Sequence, residues 1–140
     1  MSEGTAHDGG CLCGAVRYRA EGAPLRVLQC HCQMCRKAGG APFITWAVFP
    51  RRAVRFVAGD PGLYRSSPIA VRRYCRDCGS ALTWEGDASP DSIDLTVGSF
   101  DHPDRLPPPV EHLWTEAQIS WLHLADDLPR HPRERGSAGP

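Results

Sequence analysis

Seven cysteines carry most of the reactive chemistry in this sequence, and they fall into three tight groups. Cys11 and Cys13 form C-x-C, Cys30, Cys32 and Cys35 form C-x-C-x-x-C, and Cys75 and Cys78 form C-x-x-C followed by Gly79. Thiolates one or two residues apart on a tight turn can approach a single ion to about 2.3 Å, with the backbone N–H groups of the turn facing them. Gly14 and Gly79 each follow a cysteine pair directly, where a positive φ suits such a turn. A structural zinc site takes four ligands, usually as two pairs. Cys11, Cys13, Cys75 and Cys78 can close one such site. Cys30, Cys32 and Cys35 then leave a second site with an open position, the feature that separates a reactive zinc from a structural one. A rival partition joins Cys32 and Cys35 to Cys75 and Cys78 as a zinc ribbon, although their separation exceeds the about 15–20 residues usual for that motif. Spacing favours the four-plus-three division and leaves open both the ribbon and iron in place of zinc.

The wider composition agrees with metal ligation. An odd number of crowded cysteines, with no basic segment and apolar run within Met1–Gly10 to mark export, argues against a disulfide framework. No stretch approaches the about 18 apolar residues of a membrane span, and a cytoplasmic protein without membrane contact is expected. Sixteen basic residues balance sixteen acidic ones, so no overall field draws the chain onto nucleic acid, and nucleic acid is not an expected partner. A chain of 140 residues with 41% apolar content suffices for one domain and one modest core.

The elements that must position the cysteines read as strands. Thirteen prolines and fourteen glycines cut the chain into pieces too short for long helices. Val16 and Tyr18 alternate with Arg17 and Arg19, Phe43 to Phe49 is aromatic and β-branched, and Val54, Phe56 and Ala58 alternate with Arg55 and Val57. Ile69 to Tyr74, Ala81 to Trp84 and Ser92 to Val97 are further candidates, separated by turn-forming clusters. Helix is expected only over a turn or two after Cys35, in Arg36 to Ala38, and briefly between Val110 and Leu124. The division expected is an N-terminal tail over residues 1–8, a domain over 9–129, and a disordered tail over 130–140 with almost nothing apolar to bury.

Three blocks resemble a known family. Gly10-Cys11-Leu12-Cys13-Gly14-Ala15-Val16-Arg17-Tyr18, Cys30-His31-Cys32-Gln33-Met34-Cys35-Arg36-Lys37 and Arg72-Arg73-Tyr74-Cys75-Arg76-Asp77-Cys78-Gly79-Ser80 are similar to the glutathione-dependent formaldehyde-activating enzyme family, whose domain is shared with centromere protein V. The similarity continues through Gly98-Ser99-Phe100-Asp101 to near His112, Trp114, Trp121 and Pro129. The resemblance implies a mainly β, Mss4-like zinc-binding fold with short helical turns and two zinc ions per chain. It assigns the outer cysteine pairs to a structural zinc and Cys30, Cys32 and Cys35 to a catalytic one. The implied activity is a carbon–sulfur lyase with a small thiol and an aldehyde as partners. It adds the glutathione thiol to formaldehyde to give S-hydroxymethylglutathione, or cleaves that adduct.

Around the clusters, Arg36 and Lys37 can offset the negative charge of three thiolates on one zinc or hold the carboxylates of a glutathione-like substrate, with a solvated surface pair as the plain alternative. Ser66, Ser67 and Arg72 match the family's serine pair and arginine before the second cysteine pair, and the resemblance implies that they line the pocket, with Ser67 as the substrate-binding serine. The plain alternative is that they cap a turn and flank a strand. His31 is expected to point away from the metal, and His102 and His112 to lie at the surface. Tyr74 is expected to pack around the structural zinc, and the four tryptophans to be core or groove walls. Two other functions compete. One is a non-enzymatic zinc-binding module, either a thiol carrier or an adaptor using Arg51, Arg52, Arg55, Arg65, Arg72, Arg73 and Arg76 as a basic patch, though strand alternation would split these residues across two faces. The other is a redox or zinc-storage site.

Overall fold

The short apolar runs pair into two sheets in the computed structural model, which describes residues 5–137. In chain order the elements are β1 (Ala6–Gly10), β2 (Arg17–Glu21), β3 (Arg26–Cys30), α1 (Gln33–Gly39), β4 (Ile44–Pro50), β5 (Val54–Ala58), β6 (Gly62–Ser67), β7 (Ala70–Tyr74), β8 (Ala81–Gly86), β9 (Ser92–Thr96) and β10 (His112–Leu113), with 3-10 turns at Arg51–Ala53, Val97–Ser99, Pro103–Arg105 and, after β10, Thr115–Ala117. A three-stranded sheet has the order β1-β2-β5, and a seven-stranded sheet the order β10-β3-β4-β9-β8-β7-β6. All pairings are antiparallel except β10 with β3. The mainly β fold expected from sequence is the fold observed.

The large sheet is apolar on both faces because side chains alternate along each strand. Val27, Ala47, Phe49 and Leu95 point into one cluster with Tyr18 and Leu82. Leu28, Trp46 and Val48, one position out of step, point into a second cluster that contains Cys30 and Cys35. Cys11 and Cys75 belong to the first cluster. The two cysteine groups therefore rest on opposite apolar layers, one where the two sheets meet and one on the outer face.

Two terminal expectations change. Ala6, His7 and Asp8, assigned to an N-terminal tail, form the first half of β1, and Gly9 sits where a Cβ would strike the buried Tyr18 ring. Residues 130–137, read as disordered, are tied to the fold, while 138–140 lie outside the described residues. His131 N donates to His112 O, and Trp114 N donates to Arg133 O. The buried carboxylate of Glu111 is met by Arg26, His131 and Arg135 at 3.0–3.3 Å. The charge that made this segment look solvated supplies the partners that a buried acid requires.

Candidate active site

Cys11 and Cys13 occupy the turn between β1 and β2, and Cys75 and Cys78 the turn between β7 and β8. The four Sγ atoms lie within 4.8 Å of one another. Cys11 and Cys13 sulfurs are 3.6 Å apart, and Cys13 and Cys75 sulfurs 3.7 Å. Thiolates placed tetrahedrally at about 2.3 Å from one ion sit about 3.8 Å from each other, so this group has the dimensions of a four-sulfur metal site. Backbone N–H groups are already turned toward the sulfurs. Val16 N donates to Cys11 Sγ at 3.2 Å, and Asp77 N and Cys78 N donate to Cys75 Sγ at 3.4 Å. Gly14 and Gly79 take φ of 83° and 81°, the left-handed conformation the sequence anticipates.

Cys30, Cys32 and Cys35 form the second group, also with Sγ atoms within 4.8 Å of one another. Cys30 ends β3, Cys32 caps α1 by accepting from Cys35 N at 3.2 Å, and Cys35 is buried in the first turn. Sulfurs this close cannot all ionise without a cation among them. The sulfurs of Cys30 and Cys35 hold the Cys32 thiol well below the ordinary thiol range, while those of Cys32 and Cys35 push Cys30 far above it. Arg72 on β7 supplies one positive charge from the protein. Its Nη2 is 3.8 Å from Cys35 Sγ, its Nε donates to Ser66 Oγ at 3.2 Å, and its guanidinium lies over the Trp46 ring. The four-plus-three division thus matches the grouping in space, and the ribbon partition does not.

A cleft of about 580 Å³ is lined by Arg72, whose guanidinium stands between it and the second group; none of the three cysteines lines it. Met34, Lys37 and Ala38 line one wall, at the i, i+3 and i+4 spacing that puts them on one face of α1. Tyr64 and Ser66 from β6, with Arg72 and Tyr74 from β7, line the other, and Trp46 lines it as well. Gly62 faces Tyr74 across the two strands, and a Cβ there would run into the Tyr74 ring, so this glycine lets the ring lie across β6. Tyr74 is therefore a cleft wall as well as a neighbour of Cys75.

Several residues chosen from sequence lie elsewhere. Lys37 lines the cleft and also a second groove with Trp121, whereas Arg36 lines only that second groove. Ser67 Oγ accepts from Ile69 N at 3.3 Å in the β6–β7 turn, and Ser66 is the serine in the cleft. The proposed arginine patch is broken up by partners inside the fold: Arg51 and Arg73 on Glu85, Arg65 on Asp87, and Arg72 against Cys35.

His112 is fully buried, contrary to the surface position expected, whereas His102 is exposed. His112 Nε2 is 3.0 Å from an Asp126 oxygen, and its Nδ1 is 3.0 Å from Nε2 of buried His31. With Asp126 ionised and both rings neutral, His112 donates to Asp126 and accepts from His31, so each ring is held in one tautomer. His31 lies outside the three-sulfur group. It follows Cys30 just past the end of β3 and turns to His112 instead. The chain of three ties the 126 loop and β10 to the segment carrying the cysteines. Nothing in the local sequence marked it, because a histidine looks solvent-facing until its partners are known.

Asp94 was also missed. It stands on β9 between Val48 on β4 and Trp84 on β8, with no hydrogen bond or ion pair among the described residues. Burial pushes its carboxyl up to about 7, against the pull of Arg26 and Arg72. A folded-state value above the unfolded one means that stability falls as pH rises from about 4 to 7. Asp94→Asn is expected to remove that loss. Its urea midpoint should exceed the parent's increasingly from pH 5.5 to 8, reaching a gain of about 2 kcal/mol. A constant difference across this range would show that Asp94 does not titrate there.

Comparisons with known proteins point to one family. The profile described as glutathione-dependent formaldehyde-activating enzyme matches residues 6–117, a span that includes all seven. A Halomonas elongata protein, provisionally named glutathione-dependent formaldehyde-activating enzyme, is 30% identical over 126 residues, covering 84% of this chain and 80% of its own. An uncharacterized lyase of Schizosaccharomyces pombe is 32% identical over 76 residues, 54% of this chain, and the match spans about half of that relative, 55% of its length. The crystal structure of a Rhodobacter sphaeroides protein aligns with a TM-score of 0.56 at 22% identity, over 88% of this chain and 98% of that one, and shares the fold. Each cysteine group can hold a metal ion, and the profile match runs through both groups and the strands that carry them, so the chain belongs to the glutathione-dependent formaldehyde-activating enzyme family.

Proposed function

We propose that this protein is a zinc-dependent carbon–sulfur lyase that forms or cleaves a thiol–aldehyde adduct, of which S-hydroxymethylglutathione is the family's example. The observation that carries the reading is the three-sulfur group with the Arg72 guanidinium 3.8 Å from Cys35 Sγ, the same Arg72 lining an accessible cleft. Cys11, Cys13, Cys75 and Cys78 would hold a structural zinc, and Cys30, Cys32 and Cys35 a second with one position free. Bound there, zinc lowers the pKa of a thiol that joins it, so that thiolate is present at neutral pH.

The protein's own groups then do three things. Arg72 offsets the charge of the three sulfurs, which would otherwise disfavour an incoming thiolate. The walls hold thiol and aldehyde together in the cleft. Ser66 Oγ accepts from Arg72 and keeps its own proton free to donate to the aldehyde oxygen. In the forward direction the thiol gives up its proton and a sulfur–carbon bond forms. The carbonyl π pair moves to oxygen, which takes a proton, and the reverse order cleaves the adduct.

The test is the rate of thiol–aldehyde exchange by NMR magnetisation transfer, using zinc-loaded protein with a panel of thiols and aldehydes. Cys32→Ser is expected to lower the catalysed rate at least about 100-fold while the circular dichroism spectrum is retained. Full activity in that variant would remove the three-sulfur group from the mechanism.

A further inference from the structure

The cleft offers few of the charged contacts that the tripeptide in the family's name would use. Glutathione presents two carboxylates and one ammonium, so a site shaped for it needs two free cations and an acceptor for the ammonium. Three cationic side chains line this cleft, Lys37, Arg72 and Arg73. Arg73 is committed to the buried Glu85, its Nε 2.7 Å from the carboxylate. Arg72 is buried, bonded to Ser66 and set against Cys35. Lys37 alone is exposed and has no ion-pair partner among the described residues. No aspartate or glutamate lines the cleft to receive an ammonium.

Gln33, Ser66 and Thr83 add neutral polar groups to the lining, and the rest of the wall is apolar. Met34, Tyr64 and Tyr74 are 49%, 63% and 37% exposed, and Trp46 lies behind them. Large aromatic and thioether side chains around a cleft of about 580 Å³ favour a ring-sized apolar body, far larger than formaldehyde.

We propose that the substrate of this cleft is a thiol–aldehyde adduct carrying an aromatic or similarly bulky apolar body and a single carboxylate, the carboxylate held by Lys37 and the body by Tyr64, Tyr74 and Met34. This rests on the lyase reading for the reacting end and assigns the non-reacting end. Lys37 and Tyr64 are specificity-determining here because they stand on opposite walls, one meeting charge and the other area.

The test is calorimetric titration of the zinc-loaded protein at pH 7.5 with three alkyl thiols, 4-(2-mercaptoethyl)benzoate, the corresponding benzamide, and glutathione, each affinity corrected for the separately titrated acidity of its thiol. The benzoate is expected to bind about tenfold tighter than the benzamide and at least about tenfold tighter than glutathione, the equivalent of one charge-assisted contact. Lys37→Ala should bring benzoate and benzamide to within about twofold of each other, Lys37→Arg should preserve their difference, and Tyr64→Ala should weaken both by about fivefold. Lys37 and Tyr64 are exposed, so neither variant threatens folding. Glutathione binding as tightly as the benzoate, or a benzoate preference that survives Lys37→Ala, overturns the assignment. These ratios are read without turnover. A parent protein that binds as expected but catalyses no thiol–aldehyde exchange would refute the lyase reading alone, and a glutathione preference with full turnover would refute only this one.

Discussion

Cys75→Ser is expected to lose one metal ion and most of its thermal stability, whereas Cys32→Ser loses one ion and keeps the fold. The difference follows from what each group spans. Cys11 and Cys13 belong to the turn of the small sheet, and Cys75 and Cys78 to a turn of the large one, with their sulfurs meeting across more than 60 residues of chain. Cys11 and Cys75 are also buried within the main apolar cluster. An ion held there joins the two sheets, and its binding free energy becomes folding free energy. Removing one ligand leaves buried sulfurs crowded without their cation, a loss of about 4–6 kcal/mol from a total of about 5–15.

Cys30, Cys32 and Cys35 instead close a loop of only a few residues on a strand end that is already hydrogen-bonded and a helix already capped, so little chain entropy depends on them. Melts followed by circular dichroism, with metal content measured on the same samples, should show Cys75→Ser lowered by about 15 °C or more and Cys32→Ser by a few degrees. Equal losses in the two variants would mean that neither group is purely structural or purely functional.

The cysteine division could be read from the sequence because coordination number is a discrete constraint: seven ligands divide into four and three, and turn spacing places them. The strands read most easily were those with β-branched or aromatic residues in alternation, such as Arg17–Glu21 and Ile44–Pro50. Arg26–Cys30 was missed, and two others that were missed share a different logic. In Ala6–Gly10 and Gly62–Ser67, glycine weakens the local strand signal, yet it is what lets Tyr18 and Tyr74 lie against the neighbouring strand. His112–Leu113 is too short to carry a period, and its histidine looked solvent-facing because Asp126 and His31, which satisfy it, are distant in sequence. Asp94 and Glu111 were invisible for the same reason, since burial of a carboxylate is a property of the neighbours. Lys37 was nominated together with Arg36, and only the helical phase of α1 separates the one facing the cleft from the one facing away.

The second large effect is expected at Arg72, which only the family resemblance, and no spacing, singles out from the other arginines around it. Its position is fixed by β-pairing: Tyr64 on β6 and Trp84 on β8 are its cross-strand partners, so it emerges on the face that carries Trp46 and the second cysteine group. There it is the one guanidinium bonded within that group, with Nη2 3.8 Å from Cys35 Sγ, among the described residues. Three thiolates on a divalent ion leave a net negative charge, and a thiolate approaching that charge is repelled unless a cation stands close by in a site partly shielded from water. Arg72→Leu keeps an aliphatic stem over Trp46 and removes the charge. The thiol–aldehyde exchange rate should fall by about 100- to 1,000-fold, with metal content unchanged and the melting temperature lowered by no more than about 5 °C. Arg72→Lys should recover part of the rate, because an ammonium restores the charge but not the fork that holds Ser66 and the sulfur together. If the lysine and leucine variants are equally slow, the geometry of the fork matters more than its charge. If both are as fast as the parent, Arg72 serves the packing of Trp46 and the charge of the sulfur group is balanced elsewhere.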